Sequence, residues 1–478
     1  MADHQPVTSK SPSKSGPGKA LPVVPRPYLY PFILVTSLFA LWGFANDLTN
    51  PLVRAFREIF LISNAQSSLV QLAFYGGYAT MAIPAALVIR KYSYKSGIVL
   101  GLILYATGAL LTIPAASTMQ FGVFLVGFYI LTFGLAFLET SANPYILSMG
   151  PPETATQRLN LAQAFNPLGS LSGMVVASIF ILPNLQIAEF REAEKTANPD
   201  YALMLPSEVD GLITTSLETF ARESPAEHEA MVGHDLGVVI VPYVTIALVV
   251  LAILSVFLLS RMPDTGNEEE RIKFFPLMRH LIFNFHYMGG VIAQTFYVGA
   301  QIMCWTFIIH YGMTLLGLSA AQAQNYNIIA MILFLSSRFI CTFILKYLNP
   351  GQLLGILAIG GATLTLGAVF LQGMAGLYCL IGVSGCMSLM FPTIYGIALQ
   401  DLSPNDAKLG SAGLIFAIVG GAFLPRFQGG IIDGDGWTIG SLALDSVRVS
   451  FFLPVICFIV IALYGFLSNV IERGKRLS

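Results

Sequence analysis

Twelve stretches of about 20 mostly apolar residues set the strongest limit on what this chain can fold into. About 20 apolar residues suffice for a helix to cross the hydrocarbon core of a bilayer. The stretches lie at 29–50, 67–90, 97–116, 120–148, 159–183, 237–260, 282–311, 325–347, 352–372, 375–399, 409–432 and 449–470. We therefore predict an all-α membrane protein with twelve transmembrane helices, called spans 1 to 12 below.

The composition agrees with lipid as the surrounding solvent. Only 11% of the residues are charged and 55% are hydrophobic, whereas soluble domains have about 25% charged residues. A net charge of −1 does not indicate a nucleic-acid partner. The sequence also has no phosphate-binding loop and no hydrolase or metalloprotease motif. We therefore expect neither an enzyme nor an ATP-driven pump, with no catalytic residues, metal or cofactor.

Two longer polar stretches, 184–236 and 261–281, divide the chain. The second separates six spans from six. Ile89-Arg90-Lys91-Tyr92 after span 2 resembles Ile344-Leu345-Lys346-Tyr347 after span 8, as repeated halves of a transporter would. The predicted organisation is a disordered cytoplasmic tail (1–27), an N-terminal half (28–260), a cytoplasmic linker (261–281) and a C-terminal half with a short tail (282–478). A ligand site is expected between the halves.

Lysine and arginine predict the orientation. Seventeen of them fall on the side of both chain termini and six on the other side, which by the positive-inside rule places both termini in the cytoplasm. We predict a multi-pass protein of the cell (plasma or inner) membrane, acting as a monomer. The segment 184–236, with eleven acids and three bases, then lies outside. Apolar residues at helical spacing near 206–222 predict a surface helix there, either a lid or a solvated insertion.

Two acids lie well inside the first six spans, Asp47 in span 1 and Glu139 in span 4. Charge inside hydrocarbon is costly, so such residues are candidates for function by default. A buried carboxyl favours its neutral form and can carry a proton from one side to the other. A neutral acid that only bonds two helices together is the alternative. We predict that Glu139 and Asp47 couple transport to protons.

Amides and aromatic rings at helical spacing predict a cavity for a neutral, hydroxyl-rich ligand. Amides exchange hydrogen bonds with hydroxyls, and aromatic faces stack on C–H groups. Each amide alone could equally join two helices. Arg338 and Arg426 are weaker candidates for contact with the ligand. The predicted binding residues are Asn46, Asn50, Gln71, Tyr75, Asn143, Gln163, Asn166, Gln301, Trp305 and Asn325.

Several long motifs resemble the fucose–proton symporter branch of the major facilitator superfamily, over nearly the whole chain. They are Leu138-Glu139-Thr140-Ser141-Ala142-Asn143-Pro144, Arg158-Leu159-Asn160-Leu161-Ala162-Gln163-Ala164-Phe165-Asn166, Tyr297-Val298-Gly299-Ala300-Gln301 with Cys304-Trp305, and Phe391-Pro392-Thr393-Ile394. The resemblance implies the major facilitator fold, with two six-helix halves, and proton-driven uptake of a hexose or deoxyhexose. It also implies that Glu139 is the proton-linked acid and that Gln163 and Asn166 face the sugar.

Span 1 departs from the pattern of the family. Its fucose carriers have Asn-Asn-Leu-Asn-Asp, with the functional acid last, where this chain has Asn46-Asp47-Leu48-Thr49-Asn50. The acid stands three residues earlier, on the same helical face. Either Asp47 still reaches the cavity, or the coupling or sugar preference has changed. Related members are associated with glucose and galactose.

The sequence thus predicts proton-coupled symport of a neutral monosaccharide, fucose or another hexose such as glucose or galactose, by alternating access. Two alternatives remain. One is an uncoupled facilitative sugar carrier, and the other is a receptor that binds sugar without transport.

Overall fold

The computed structural model describes residues 21–63, 66, 69–204, 206–263, 274–318, 320–434, 436–439 and 442–477. Twelve helical stretches of these residues are long and apolar enough to cross a membrane, which confirms the predicted twelve spans. The predicted binding residues Asn50 and Gln71 lie outside the described side chains. So do the predicted tail up to residue 20 and most of the predicted linker, 264–273.

The N-terminal half contains spans 1 to 6, and the C-terminal half contains spans 7 to 12. The helices of the first half are α1 (Leu29–Ile59), α2 (Leu69–Lys91), α3 (Tyr94–Leu110), α4 (Thr112–Ser117), α5 (Phe121–Ser148), α6 (Ala155–Gln163), α7 (Asn166–Val176), α8 (Gln186–Ala197), α9 (Pro206–Glu223) and α10 (Pro225–Leu259). Those that follow are α11 (Phe274–Phe283), α12 (Phe285–Leu316), α13 (Ala320–Ile344), α14 (Pro350–Phe370), α15 (Met374–Met387), α16 (Met390–Leu399), α17 (Pro404–Phe416), α18 (Gly420–Ile432), α19 (Ser446–Ser450) and α20 (Phe452–Leu477).

Side-chain caps begin four of the spans that leave one end of the bundle. Ser93, Asn284, Asn349 and Ser403 each accept a hydrogen bond from a backbone N–H in the first turn of spans 3, 7, 9 and 11. Such caps satisfy N–H groups that have no partner within the helix. The first and last described residues lie at this same end, which we call the termini end. The opposite end, where residues 184–236 lie, is called the insertion end.

Glycines allow close packing between spans 1 and 5. A Cβ on Gly169 would collide with the backbone carbonyl of Ala40, and one on Gly173 would lie 2.6 Å from the carbonyl oxygen of Phe44. Helices in lipid associate largely through such close packing of small residues. The seam fixes span 5 against span 1, and both spans supply polar side chains to the interior.

Several spans are broken helices, unlike the single continuous runs that were predicted. Span 5 consists of α6 and α7, and α7 continues into a π-helical turn at Ala177–Ile181. Span 10 divides between Met387 and Met390, and span 11 passes through a 3-10 turn at Ala417–Val419. Span 6 is longer than predicted, because α10 begins at Pro225 rather than near 237.

Other segments also differ from the prediction. Residues 21–27, predicted as the end of a disordered tail, lie against the bundle: Arg158 donates to the Val23 carbonyl at 3.0 Å. The last part of the predicted linker is helical, in α11. Two short antiparallel strands, β1 (Trp437–Ile439) and β2 (Leu442–Leu444), occur among the described residues, between spans 11 and 12. They are a small exception to the predicted all-α class.

The insertion carries helices α8 and α9, and α9 matches the helix predicted near 206–222. The buried Asp235 carboxylate accepts hydrogen bonds from the N–H groups of Gln186 and Ile187, at 2.7 and 3.0 Å. Arg191 pairs with Glu58 of span 1 at 2.9 Å and also with Asp210 of α9. Charges therefore attach the insertion to the end of span 1.

Candidate functional site

A cavity of about 200 Å³ lies between the two halves. It is smaller than the 300–1,000 Å³ typical of sites for drug-sized ligands, so it suits a small molecule. Spans 1, 2, 4 and 5 line one side, and spans 7, 8, 10 and 11 line the other. The polar residues in the lining are Asn46, Asp47, Tyr75, Tyr78, Glu139, Gln163, Asn166, Ser170, Tyr297, Gln301, Trp305 and Arg338.

The Glu139 carboxyl faces this cavity and is 6% exposed. The Tyr78 hydroxyl donates to its Oε1 at 3.0 Å. A single neutral donor does not offset the cost of removing a carboxylate from water. A carboxyl in these surroundings is a candidate group for proton uptake and release.

Gln163 is oriented by a residue behind it. Its Nε2 donates to Oδ1 of Asn143 at 2.7 Å, and Nδ2 of Asn143 donates to the Glu139 carbonyl at 3.0 Å. Asn143 is fully buried and its amide joins spans 4 and 5. The Gln163 amide is therefore held in a fixed orientation in the cavity lining, which it shares with Glu139.

The break in span 5 brings a second amide to the cavity. Asn166 begins α7, followed by Pro167, and its Nδ2 donates to the Phe39 carbonyl of span 1 at 3.2 Å. A Cβ on Gly43 would collide with the backbone of Asn166, so glycine allows span 1 to approach this break. Asn46 and Asp47 lie one turn further along span 1 and face the same cavity.

Two aromatic rings form the wall on the side of the C-terminal half. Trp305 and Phe334 pack edge to face, with ring centroids 5.0 Å apart. The indole Nε1 of Trp305 donates to Oγ of Ser384 at 3.2 Å. This contact fixes the ring plane, and a fixed aromatic face is suited to the C–H surface of a sugar ring.

Eight of the predicted residues come together in the cavity lining: Asn46, Asp47, Tyr75, Glu139, Gln163, Asn166, Gln301 and Trp305. Asn143 lies behind Gln163 instead. Asn325, near the start of span 8, has an exposed side chain and is not in the lining. Tyr78, Trp42, Ser170 and Phe334 were not predicted. Tyr78 had a signal in the sequence, because it follows Tyr75 by three residues and so shares its helical face.

Four hydrogen bonds between the halves, here called the closure contacts, lie on the termini side of the cavity among the described residues. Three join Gln157 to the Thr342 carbonyl, Asn160 to Thr393, and Ser411 to the Thr140 carbonyl, at 3.0, 3.1 and 3.2 Å. The fourth joins Arg338 to the Gln163 carbonyl at 2.9 Å. In this state the cavity is closed towards the termini end.

Comparison with known proteins gives consistent matches. Residues 33–187 match the family model of the Major Facilitator Superfamily. The chain is 52% identical over 445 residues to an L-fucose-proton symporter of Haemophilus influenzae, covering 93% of this chain and 97% of that protein. It is 33% identical to the L-fucose-proton symporter of Escherichia coli, covering 92% and 93%. It is 29% identical to a glucose/galactose transporter of Brucella abortus, covering 92% and 95%.

The fold has a solved counterpart. A crystal structure of the E. coli fucose:proton symporter superposes with a TM-score of 0.76 at 31% identity, covering 93% of this chain and 99% of that one.

Proposed function

Because this chain belongs to the fucose–proton symporter branch of the major facilitator superfamily, we propose that it carries a neutral monosaccharide across a membrane together with a proton. The observation that carries the proposal is the position of Glu139. A buried carboxyl with one neutral donor shares a small cavity with amides and aromatic rings from both halves.

The sugar is proposed to bind between Gln163, Asn166 and Gln301, with Trp305 against its C–H face. Amide groups donate and accept, as hydroxyls require. Asn46 and Tyr75 complete the polar wall from spans 1 and 2. The named relatives favour L-fucose as the first sugar to test, with D-glucose and D-galactose next.

Transport is proposed to follow alternating access. Glu139, with Asp47, is protonated from the insertion side. Neutral carboxyls then favour closure around the sugar, since burying an unpaired charge is costly. The halves rock about the cavity, the termini side opens, and sugar and proton leave there. Asp47 lines the cavity despite its shifted place in the motif, which supports symport over uncoupled carriage.

We propose that both termini face the cytoplasm, in the cell membrane. The excess of lysine and arginine on that side supports this orientation. The closure contacts then seal the cytoplasmic side, and the structure corresponds to an outward-facing state. One chain contains the whole cavity, which supports a monomer as the transporting unit.

Uptake into proteoliposomes tests the proposal. Purified protein is reconstituted, and labelled L-fucose, D-glucose and D-galactose are offered with and without an inward proton gradient. Accumulation above equilibrium only with the gradient is the expected result and identifies the sugar. Equilibration that ignores the gradient would instead establish an uncoupled carrier, and binding without flux would establish a receptor.

A further inference from the structure

Arg338 is a buried charge in span 8 whose partners are main-chain oxygens. Its side chain is 3% exposed and lines the cavity. Nε donates to the Ser388 carbonyl of span 10, and an Nη donates to the Gln163 carbonyl of span 5, at 2.9 Å. The guanidinium carbon lies 4.7 Å from the ring centroid of Phe334. Arg338 therefore joins the C-terminal half to the N-terminal half.

The acceptor in span 5 exists because of Pro167. In a continuous helix the N–H of residue 167 would bond to the carbonyl of Gln163, but proline has no N–H. The helix breaks at this point, and the carbonyl needs another donor. Arg338 supplies that donor from the opposite half.

In this state Arg338 and Glu139 have separate partners. Glu139 accepts from Tyr78, and Arg338 donates to the two carbonyls. Opening of the termini end must separate Arg338 from Gln163. The guanidinium would then be a buried charge with an unmet donor, and such a charge requires a new partner.

We propose that Arg338 is a positioning residue of the transport cycle, which holds the termini end closed through Gln163 and pairs with the Glu139 carboxylate once that end opens. The inference rests on the proposed function. The carboxyl O–H bond breaks, the proton passes to water entering from the termini end, and the electron pair stays on the carboxylate. The guanidinium then neutralises that carboxylate.

Other charged and titratable groups lie around Glu139. Asp47, Tyr78 and Tyr297 share the cavity lining, and Tyr395 of span 10 is near. Lys408 of span 11 is a second buried cation, held over the Tyr94 ring at 5.3 Å. Among the described residues that line the cavity, Arg338 is the only cation. We therefore assign the pairing to Arg338 rather than to Lys408.

The first experiment measures closure directly and does not depend on sugar transport. Spin labels at residues 153 and 346, in a background lacking the five native cysteines, report the separation of the halves at the termini end. Glu153 and Lys346 are exposed there on opposite halves. Arg338→Met should shift the distances to longer values. Arg426→Met, at an exposed arginine of span 11, should not.

A second variant covers the case in which Arg338→Met does not fold. Pro167→Ala restores an N–H that competes for the Gln163 carbonyl, so it should lengthen the same distance to a smaller extent. The proposed closure role would be wrong if Arg338→Met gave the same label distances as the wild type. If only Pro167→Ala folds, the same criterion applies to Pro167→Ala.

The second experiment separates proton release from sugar movement. In Arg338→Met, net sugar efflux should fall about tenfold while sugar exchange changes little, because only net efflux requires a deprotonated Glu139. Arg338→Lys should recover part of the net efflux, and Lys408→Met should not show the same split. If Arg338→Met lost net efflux and exchange to the same extent, the proposed pairing would be wrong. It would also be wrong if Lys408→Met, rather than Arg338→Met, lost net efflux and kept exchange. If the wild type did not accumulate sugar, the proposed symport would be wrong. The distances between the spin labels at 153 and 346 would still test the closure role.

Discussion

Glu139 and Asp47 share one cavity. We expect Glu139→Gln to abolish accumulation driven by a proton gradient and to retain sugar exchange. The amide keeps the shape and the neutral state of the acid while removing its exchangeable proton. Counterflow and gradient-driven uptake in the same proteoliposomes measure the two activities. Full accumulation by this variant would show that Glu139 is not the coupling group.

Asp47→Asn is the matched variant for the second acid. If Asp47 shares the coupling, it should also reduce accumulation, although Asn50 stands where the family has its acid. Normal accumulation in Asp47→Asn would leave Glu139 as the one proton-linked acid of the pair.

Trp305 offers a test of sugar contact that does not involve protons. Loss of its ring in Trp305→Ala should raise the KM for sugar about tenfold, since an aromatic contact contributes about 0.5–1.5 kcal/mol beyond buried area. Trp305→Phe should have a smaller effect. Phe180→Ala is the control, because Phe180 is 63% exposed on the surface of span 5. An unchanged KM in Trp305→Ala would remove this ring from the sugar site.

The residues that sequence reasoning located best are those whose type is unusual for a lipid-exposed helix. Glu139, Gln163 and Asn166 are polar side chains in apolar runs. Because a polar side chain in lipid costs free energy, their presence there indicates candidates for function. The contacts of Asn143 and Arg338 were not predictable in the same way. Their partners depend on how neighbouring spans are rotated and where helices break, and hydropathy does not encode either property.

At the scale of elements, length and apolarity predict that a span exists but not that it is continuous. The break in span 5 depends on Pro167 and on donors from other helices to the exposed carbonyls. Broken helices at membrane depth are tolerated where protein or a cavity satisfies the backbone. The predicted span 5 was therefore correct in position and incomplete in form.

The insertion supplies an element-scale prediction. Arg191→Met removes the 2.9 Å partner of the Glu58 carboxylate, which is 8% exposed, and leaves Arg57 at 3.8 Å. We expect a local cost of about 1–3 kcal/mol, seen as faster hydrogen exchange in α8 and α9. Lys195→Met is the control, since its pair with Glu192 is largely exposed. Equal exchange in wild type and Arg191→Met would show that other contacts hold the insertion.

For the whole molecule, the closeness of the halves at the termini end gives a direct prediction. A Cβ on Gly396 of span 10 would lie 2.7 Å from Oγ1 of Thr156 in span 5, across the interface. Gly396→Val should therefore hold the halves apart there, lengthening the distance between labels at 153 and 346 and slowing uptake. Gly430→Val, where a Cβ would meet nothing within 4 Å, should have little effect. A wild-type distance in Gly396→Val would contradict the prediction.

The division into six spans and six could be predicted, because the polar linker and the repeated motifs are visible in the sequence. Which end of the cavity is closed could not. Both states of an alternating-access carrier are built from the same residues, and they differ by a small free energy set by contacts between the halves.

Arg338 closes the interface by bonding to peptide oxygens, and this has an evolutionary consequence. Every residue type offers a main-chain carbonyl, so substitutions at 163 and 388 leave these acceptors intact. An ion pair between side chains would instead constrain two positions to change together. We therefore expect position 338 to show no covariation with positions 163 and 388 in homologous carriers. Correlated substitutions in an alignment would then fail to reveal one of the contacts that keeps the carrier closed.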